Sequence, residues 1–105
     1  MGQGDKMGKY VFIYHGGGNG NDGTMEDWVN WFTTLGDKVI DPGNPFNTGG
    51  QAVHKGGVMP VEGTVATGYT VVKADSMEEA TEMAKGCPLV GADDAAVAVY
   101  EALPM

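Results

Sequence analysis

Apolar residues recur along the chain with two different periods. The helical period appears twice, in residues 24–36 (TMEDWVNWFTTLG) and 75–88 (DSMEEATEMAKGCP). Four other runs are rich in β-branched and aromatic residues, which is typical of strands: 9–15, 37–41, 66–74 and 95–103. The predicted order of elements is therefore β-α-β-β-α-β.

Both predicted helices have recognisable ends. Thr24 and Ser76 are suitable N-cap residues, and Glu79 follows Ser76 at the spacing of a capping box. Gly36 and Gly86 are suited to the C-terminal ends. The apolar stripes that we expect to face the core are Trp28, Trp31, Phe32 and Leu35 in the first helix, and Met77, Ala80, Met83 and Ala84 in the second.

The segment between the second and third long strands is less regular. Residues 42–50 (PGNPFNTGG) hold two prolines and read as turns. Residues 51–55 (QAVHK) are a candidate short strand. Residues 56–63 (GGVMPVEG) fit either a loop or the arm of a ragged hairpin.

This order predicts an α+β, ferredoxin-like fold, with a four-stranded antiparallel sheet and both helices on one face. The uncovered sheet face then needs a partner, and we expect a homodimer packed sheet to sheet as a dimeric α+β barrel. A length of 105 residues suits one domain, predicted over 9–105, with residues 1–8 as a disordered tail.

The first strand leaves its orientation open. Tyr10, Phe12 and Tyr14 lie on one face, and Val11, Ile13 and His15 on the other. Periodicity alone does not decide which set faces the helices.

The charge balance limits the classes of partner. The chain has 14 acidic residues and six basic ones, all lysines, for a net charge of −8. Nucleic acids and anionic membranes are therefore poor partners, because both are bound through clustered Lys and Arg. The single cysteine, Cys87, and the lack of a secretory signal or a 20-residue apolar run lead us to expect a cytoplasmic protein.

A glycine-rich segment after the first strand spells two known motifs. Gly18, Gly20 and Gly23 form G-x-G-x-x-G, but a dinucleotide-binding fold needs more parallel strands than this chain supplies. The overlapping HGGG is typical of lipase oxyanion loops, yet the only serine, Ser76, lies in a capping position. P-loop and EF-hand spacings also fail, so no cofactor is predicted, and the segment is expected to be a flexible loop.

Histidine offers the best candidate chemistry. His15, at the end of the first strand, is a candidate general base, and Asp41, at the end of the second, is its candidate partner. The competing interpretation is that His15 is a structural residue at a strand end. Tyr14 and Trp31 are candidate walls of a cleft for a small aromatic ligand, and no metal-site spacing is present.

Two parts of the chain carry a family resemblance. The run GYTVVKADSMEEATEMAKGCP, together with KYVFIYHGG, the W--WF--LG helix and KVIDPGNPF, resembles the YCII-related, DGPF-type domain family. The resemblance implies a dimeric α+β barrel related to small-molecule isomerases, dehydrochlorinases and monooxygenases. The early helix histidine of some members has no match in TMEDW, and the string DGPF itself is absent.

Two functional hypotheses follow. The first is a small-molecule enzyme or binder with a cleft beside the first strand, in which proton-transfer, lyase or isomerase chemistry would use His15 and Asp41. The second is a non-catalytic dimeric interaction or regulatory protein.

Overall fold

A computed structural model of the chain describes residues 7–16, 23–47, 49–63 and 65–104. The described residues form six strands and two helices, with four of the strands between the helices. They are β1 (Gly8–Gly16), α1 (Met25–Leu35), β2 (Val39–Asp41), β3 (Gln51–His54), β4 (Gly57–Pro60), β5 (Ala66–Ala74), α2 (Met77–Lys85) and β6 (Ala95–Ala102). Short 3₁₀ turns follow α1 at Gly36–Lys38 and precede β6 at Pro88–Gly91.

The main sheet has four antiparallel strands in the order β2-β5-β1-β6. The two long central strands, β1 and β5, are each paired on both sides. This arrangement of four strands and two helices is compatible with a ferredoxin-like α+β fold. The strand predicted at 37–41 is shorter than expected, because its first two residues belong to the 3₁₀ turn.

The structure decides how β1 is oriented. Tyr10, Phe12 and Tyr14 are buried against the helices, whereas Val11, Ile13 and His15 are only partly buried on the other face. The larger aromatic side chains thus supply the core. His15 consequently lies on the sheet face that carries no helix.

Capping hydrogen bonds fix the start of each helix. Thr24 and Asp27 form a complete capping box, with distances of 2.9 and 3.1 Å between side chain and main chain. Ser76 accepts from the Glu79 N–H at 3.1 Å, as predicted. The reciprocal half of the second box is displaced, because the Glu79 carboxylate accepts instead from the Asp75 N–H and from Lys38.

The core lies between the sheet and the two helices. Phe12 of β1 stacks on Trp31 of α1, with ring centroids 6.1 Å apart. Ala80 and Ala84 present the buried side of α2, while Met77, predicted for the same stripe, is 42% exposed. The small alanines allow α2 to approach the sheet closely.

The strands β3 and β4 form a separate two-stranded hairpin. We call residues 49–63 the arm. Every described residue of the arm except Ala52 is exposed, including Val53, Val58 and Met59. A main-chain hydrogen bond of 3.1 Å from Val61 to Gly50 closes its base. The hairpin alternative for residues 56–63 is therefore the one that the structure adopts.

Two predictions fall wholly or partly outside the described residues. The tail predicted over 1–8 extends one residue too far, because Gly8 already pairs with Ala74 in the sheet. Residues 1–6 lie outside the described part of the chain. So do residues 17–22, which hold most of the glycine-rich segment predicted to be a flexible loop.

Candidate ligand-binding pocket

A pocket of about 580 Å³ opens between α1 and the end of the sheet where β1 finishes. Its floor comes from β1 and β5, one wall comes from α1, and the opposite wall is the segment that continues from β2 along the edge of β5. The residues that line it are Tyr14, Gly16, Met25, Trp28, Phe32, Pro42, Gly43, Asn44, Pro45, Thr67, Gly68, Tyr69, Thr70 and Leu89. The volume is within the range of sites for small organic ligands.

Aromatic rings form the helix side of the pocket. Trp28 packs edge-on against Tyr14, with ring centroids 5.4 Å apart and planes at 85°. Phe32 lies one helical turn further on, 6.3 Å from the Trp28 ring. Residues i and i+4 share a helix face, so both rings border the same space. Such a wall suits an aromatic or aliphatic body.

The sheet side carries a line of hydroxyl groups. Tyr14 Oη lies 2.6 Å from Thr70 Oγ1, in a buried contact between β1 and β5. Thr70 Oγ1 in turn donates to the Pro42 carbonyl oxygen at 2.9 Å. Burial raises the pKa of the Tyr14 hydroxyl above its usual value of 10. The phenol is therefore neutral at physiological pH.

Glycines allow the main chain to pass close to the strands at both ends of the pocket. Gly43 has φ of +77°, and a Cβ there would overlap the Tyr69 carbonyl oxygen. Gly16 has φ of +73°, and a Cβ there would overlap the Asp94 carbonyl oxygen. Between them, a bulge after Tyr14 leaves Thr67 unpaired in the ladder, and Thr67 Oγ1 donates to the Gly16 oxygen at 3.0 Å. Bulges of this kind re-aim side chains beside binding sites.

The structure places the predicted cleft residues differently from one another. Tyr14 is among the residues that line the pocket. Trp31 is not: it is 5% exposed and belongs to the core. Its indole Nε1 donates to the Met83 oxygen at 3.0 Å, which holds the ring away from the pocket. Trp28 and Phe32, from the same apolar stripe, occupy the wall instead.

The predicted pair of His15 and Asp41 is not brought together. In the strand registers His15 lies opposite Ala66 and Asp41 opposite Val71. Five residues along β5 correspond to roughly 17 Å, which is too far for a direct hydrogen bond. Asp41 Oδ1 accepts instead from the Gly43 N–H at 2.8 Å, and its Oδ2 lies 3.5 Å from the Tyr69 hydroxyl. The proposed proton-transfer pair therefore lacks its geometry in one chain.

The described lining is poor in acid–base groups. It contains neither a carboxylate nor a lysine nor a histidine, and its titratable side chains are Tyr14 and Tyr69. Within the described part of the chain, no three His, Cys, Asp or Glu side chains cluster in a way that would hold a metal ion. No described helix has the length and apolarity needed to cross a membrane. The geometry can orient a small molecule, but it supplies few groups for moving protons.

Several lining residues were absent from the predicted site. Thr70 lies in a segment that the sequence predicts only as a strand, and the segment from Pro42 to Pro45 is predicted only as turns. The spacing of the two prolines was a usable signal, since it keeps the chain extended beside β5, where Pro45 bridges to Gly68. Nothing in the sequence pairs Thr70 with Tyr14, because that contact depends on strand register.

Comparisons with known proteins return no match: no protein-family model fits the chain, and no curated protein and no solved structure is significantly similar to it.

Proposed function

We propose that this protein binds a small aromatic molecule in the pocket between α1 and the sheet. The observation that carries the proposal is the lining itself, in which Tyr14, Trp28 and Phe32 surround about 580 Å³ beside a short line of hydroxyls. Ligand sites are typically concave, mainly apolar and fixed by a few placed polar groups. The shortage of acid–base groups in the described lining favours binding over catalysis.

Relationship to the YCII-related family remains a hypothesis that rests on the sequence resemblance. The alternative hypothesis of a proton-transfer enzyme uses His15 as its base, and His15 follows Tyr14 directly but faces the other side of the sheet. His15→Ala separates the two options. A binder retains its affinity in this variant, whereas an enzyme that uses His15 loses turnover.

Tryptophan fluorescence gives a direct test of binding. Trp28 lines the pocket and Trp31 does not, so an aromatic ligand such as phenylethanol should quench or shift the emission of Trp28. The response is expected in Trp31→Phe, which retains Trp28, and is expected to vanish in Trp28→Phe. Ligand-observed NMR provides a second readout that is independent of the fluorophore.

A matched pair of phenylalanine variants controls for general effects. Phe32→Leu changes the pocket wall. Phe46→Leu changes an aromatic residue that is not part of the lining, although it stacks on the lining residue Tyr69. Only the first should weaken binding. If no aromatic probe binds the wild-type protein at millimolar concentration, the proposed function is wrong.

A specific observation also favours the second hypothesis, a dimeric interaction protein. The sheet face without helices carries a run of apolar side chains at paired register positions: Val11, Ile13, Val71, Ala98 and Tyr100. Together with the exposed valines of the arm, this surface is costly to leave in water. We infer a homodimer in which these faces pack together.

Sedimentation velocity tests the dimer. Ile13→Lys places a charge in the centre of the apolar sheet face and should produce monomers at micromolar concentration. Val29→Lys is the matched control, because Val29 is 55% exposed on the outside of α1. A wild-type monomer at tens of micromolar would contradict the dimer without affecting the pocket.

A further inference from the structure

The donor and the acceptor can be assigned in both hydrogen bonds that join Tyr14, Thr70 and Pro42. The Pro42 carbonyl can only accept, so the 2.9 Å contact uses the single proton of Thr70. The 2.6 Å contact between Tyr14 and Thr70 then requires the Tyr14 proton. Only this arrangement satisfies both contacts. The Tyr14 oxygen is thereby left with lone pairs and no proton to offer a ligand.

Several other protons of the lining are also directed to protein acceptors. Thr67 Oγ1 donates to main-chain oxygens of β1, and the Gly43 N–H donates to Asp41. The main-chain N–H of Tyr69 is directed to the Asn44 oxygen at 3.4 Å. The side-chain amide of Asn44, which is exposed at the rim, both donates and accepts and so gives no preference. The part of the inner wall around Tyr14 therefore presents acceptors, and Trp28 is the lining residue whose side chain can only donate.

The described lining has no charged side chain, so it offers no cation to a carboxylate. Within the described residues, the start of α1, near Met25, is a feature that could attract an anion. There the Thr24 N–H already donates to the Asp27 carboxylate and the Asp27 N–H to the Thr24 hydroxyl, and Glu26 adds a second negative charge to the first turn.

We propose that the pocket is selective for aromatic molecules whose polar end is a hydrogen-bond donor, and that it takes aromatic amines in preference to the corresponding carboxylates. The ammonium would donate to the Tyr14 oxygen while the ring packs against Trp28 and Phe32. Aromatic faces stabilise a nearby ammonium further, whereas a carboxylate would meet lone pairs and ring faces. This selectivity rests on the proposed binding function.

A matched set of probes tests the selectivity. Phenylethylamine, phenylethanol and phenylpropionate share one aromatic body and carry an ammonium, a hydroxyl and a carboxylate. Their affinities are measured by ligand-observed NMR and by Trp28 fluorescence in 0.15 M and in 1 M salt. The amine should bind at least about tenfold more tightly than the carboxylate, equivalent to about 1.4 kcal/mol. The high-salt measurement removes the general effect of the net charge of −8.

Two variants should change the ratio of amine affinity to carboxylate affinity, which a purely structural role of Tyr14 and Thr70 would leave unchanged. Tyr14→Phe removes the acceptor and should abolish the advantage of the amine, while Tyr10→Phe, on the same strand face but outside the lining, should preserve it. Thr70→Val removes the acceptor of the Tyr14 proton. The phenol can then donate to a ligand, and the carboxylate should gain affinity relative to the amine.

The possible outcomes distinguish a failure of the proposed amine selectivity from a failure of the proposed binding function. Equal binding of amine and carboxylate in high salt, or tighter binding of the carboxylate, overturns the selectivity and leaves the binding function intact. Binding of none of the three probes removes both. An unchanged preference in Tyr14→Phe, with the variant folded by circular dichroism, also overturns the proposed role of Tyr14.

Discussion

The indole nitrogen of Trp31 donates a hydrogen bond of 3.0 Å to the main-chain oxygen of Met83 and so joins α1 to α2. Trp28, three residues earlier, has its ring at the pocket instead. Two tryptophans on one helical stripe thus have different tasks, one in the core and one at the candidate ligand site.

We expect Trp31→Phe to destabilise the protein and Trp28→Phe to spare it. The first variant loses the hydrogen bond to Met83 and leaves a gap in the core, which together should cost about 1–3 kcal/mol. Trp28 is half-buried, so its replacement should cost no more than about 1 kcal/mol. Urea denaturation monitored by circular dichroism gives both free energies of unfolding. Equal losses would contradict this division of tasks.

The buried hydroxyl line gives a second prediction. Thr70→Val keeps the shape of the side chain but leaves the Tyr14 hydroxyl and the Pro42 oxygen without their partner. An unpaired buried polar group costs about 1–3 kcal/mol, and the free energy of unfolding should fall by that amount. Thr33→Val is the control, because its hydroxyl contacts a helix carbonyl at the exposed surface and its loss should cost less than about 0.5 kcal/mol.

A double variant measures the interaction between the Tyr14 and Thr70 hydroxyls. In Tyr14→Phe/Thr70→Val both partners of the 2.6 Å contact are removed together. The loss of stability should therefore be smaller than the sum of the two single losses. Additive losses would show that the two hydroxyls do not interact in solution.

The local sequence predicts much of this fold for identifiable physical reasons. β5 is predicted at its observed limits because its β-branched and aromatic residues are bounded by a turn and a helix cap. Thr24 and Ser76 both cap helices, since a hydroxyl at that position satisfies main-chain N–H groups that have no other partner. These features depend on neighbours within a few residues.

Features that depend on register were beyond the sequence. Whether Tyr14 or His15 faces the helices depends on how β1 packs. The sequence alone does not distinguish the two sets of alternate residues to which they belong. Met77 is exposed whereas Ala80 and Ala84 are buried, a difference within one apolar stripe that helical periodicity does not predict. The hydroxyl line from Tyr14 through Thr70 to Pro42 joins β1, β5 and the segment after β2. No local sequence pattern predicts these contacts.

Alkaline pH should destabilise the protein through Cys87. This thiol is 3% exposed, and burial raises its pKa from 9.0 to about 11. Between these values the unfolded chain loses the proton while the folded chain keeps it, so stability is complete below about pH 9 and falls as the pH rises towards 11. The Tyr14 hydroxyl, whose pKa is also raised by burial, adds to the fall above pH 10.

Cys87→Ala removes one of these titrating groups. The free energy of unfolding of the variant should decline less steeply between pH 9 and 10.5 than that of the wild type, in about the range where the thiol titrates. A parallel decline in both proteins would contradict the assignment. Native Cys87 should also react slowly with a thiol reagent until urea unfolds the chain, because its burial disfavours the thiolate.

The Glu79 carboxylate gives the opposite dependence in acid. Its pKa is lowered first by the hydrogen bond from the Asp75 N–H, at 2.7 Å, and then by Lys38. The stabilisation is therefore present above the reference value of 4.5 and is lost as the pH falls through the lower folded value. Glu79→Gln should be less stable than the wild type at pH 7 and should approach it at about pH 3.

Glu82→Gln serves as the matched control for that change. Glu82 pairs with Lys85 within α2, and both side chains are more than 60% exposed. An exposed pair of this kind contributes little, so the stability of this variant should follow the wild type across the whole pH range. A larger effect at Glu82 than at Glu79 would show that the link between α2 and the turn after α1 is unimportant.

We predict that the arm is dispensable for the fold and contributes to the proposed homodimer. Gly50 and Val61 are already joined by a main-chain hydrogen bond of 3.1 Å, so a two-residue Asn-Gly turn can replace residues 51–60. The arm residues that are removed are exposed, and the free energy of unfolding of the monomeric unit should change by less than about 1 kcal/mol. Dimer affinity in sedimentation should fall, because the exposed valines of the arm are lost. A shortened chain that dimerises as tightly as the wild type would confine the interface to the sheet face, and a shortened chain that fails to fold would show that the arm belongs to the core unit.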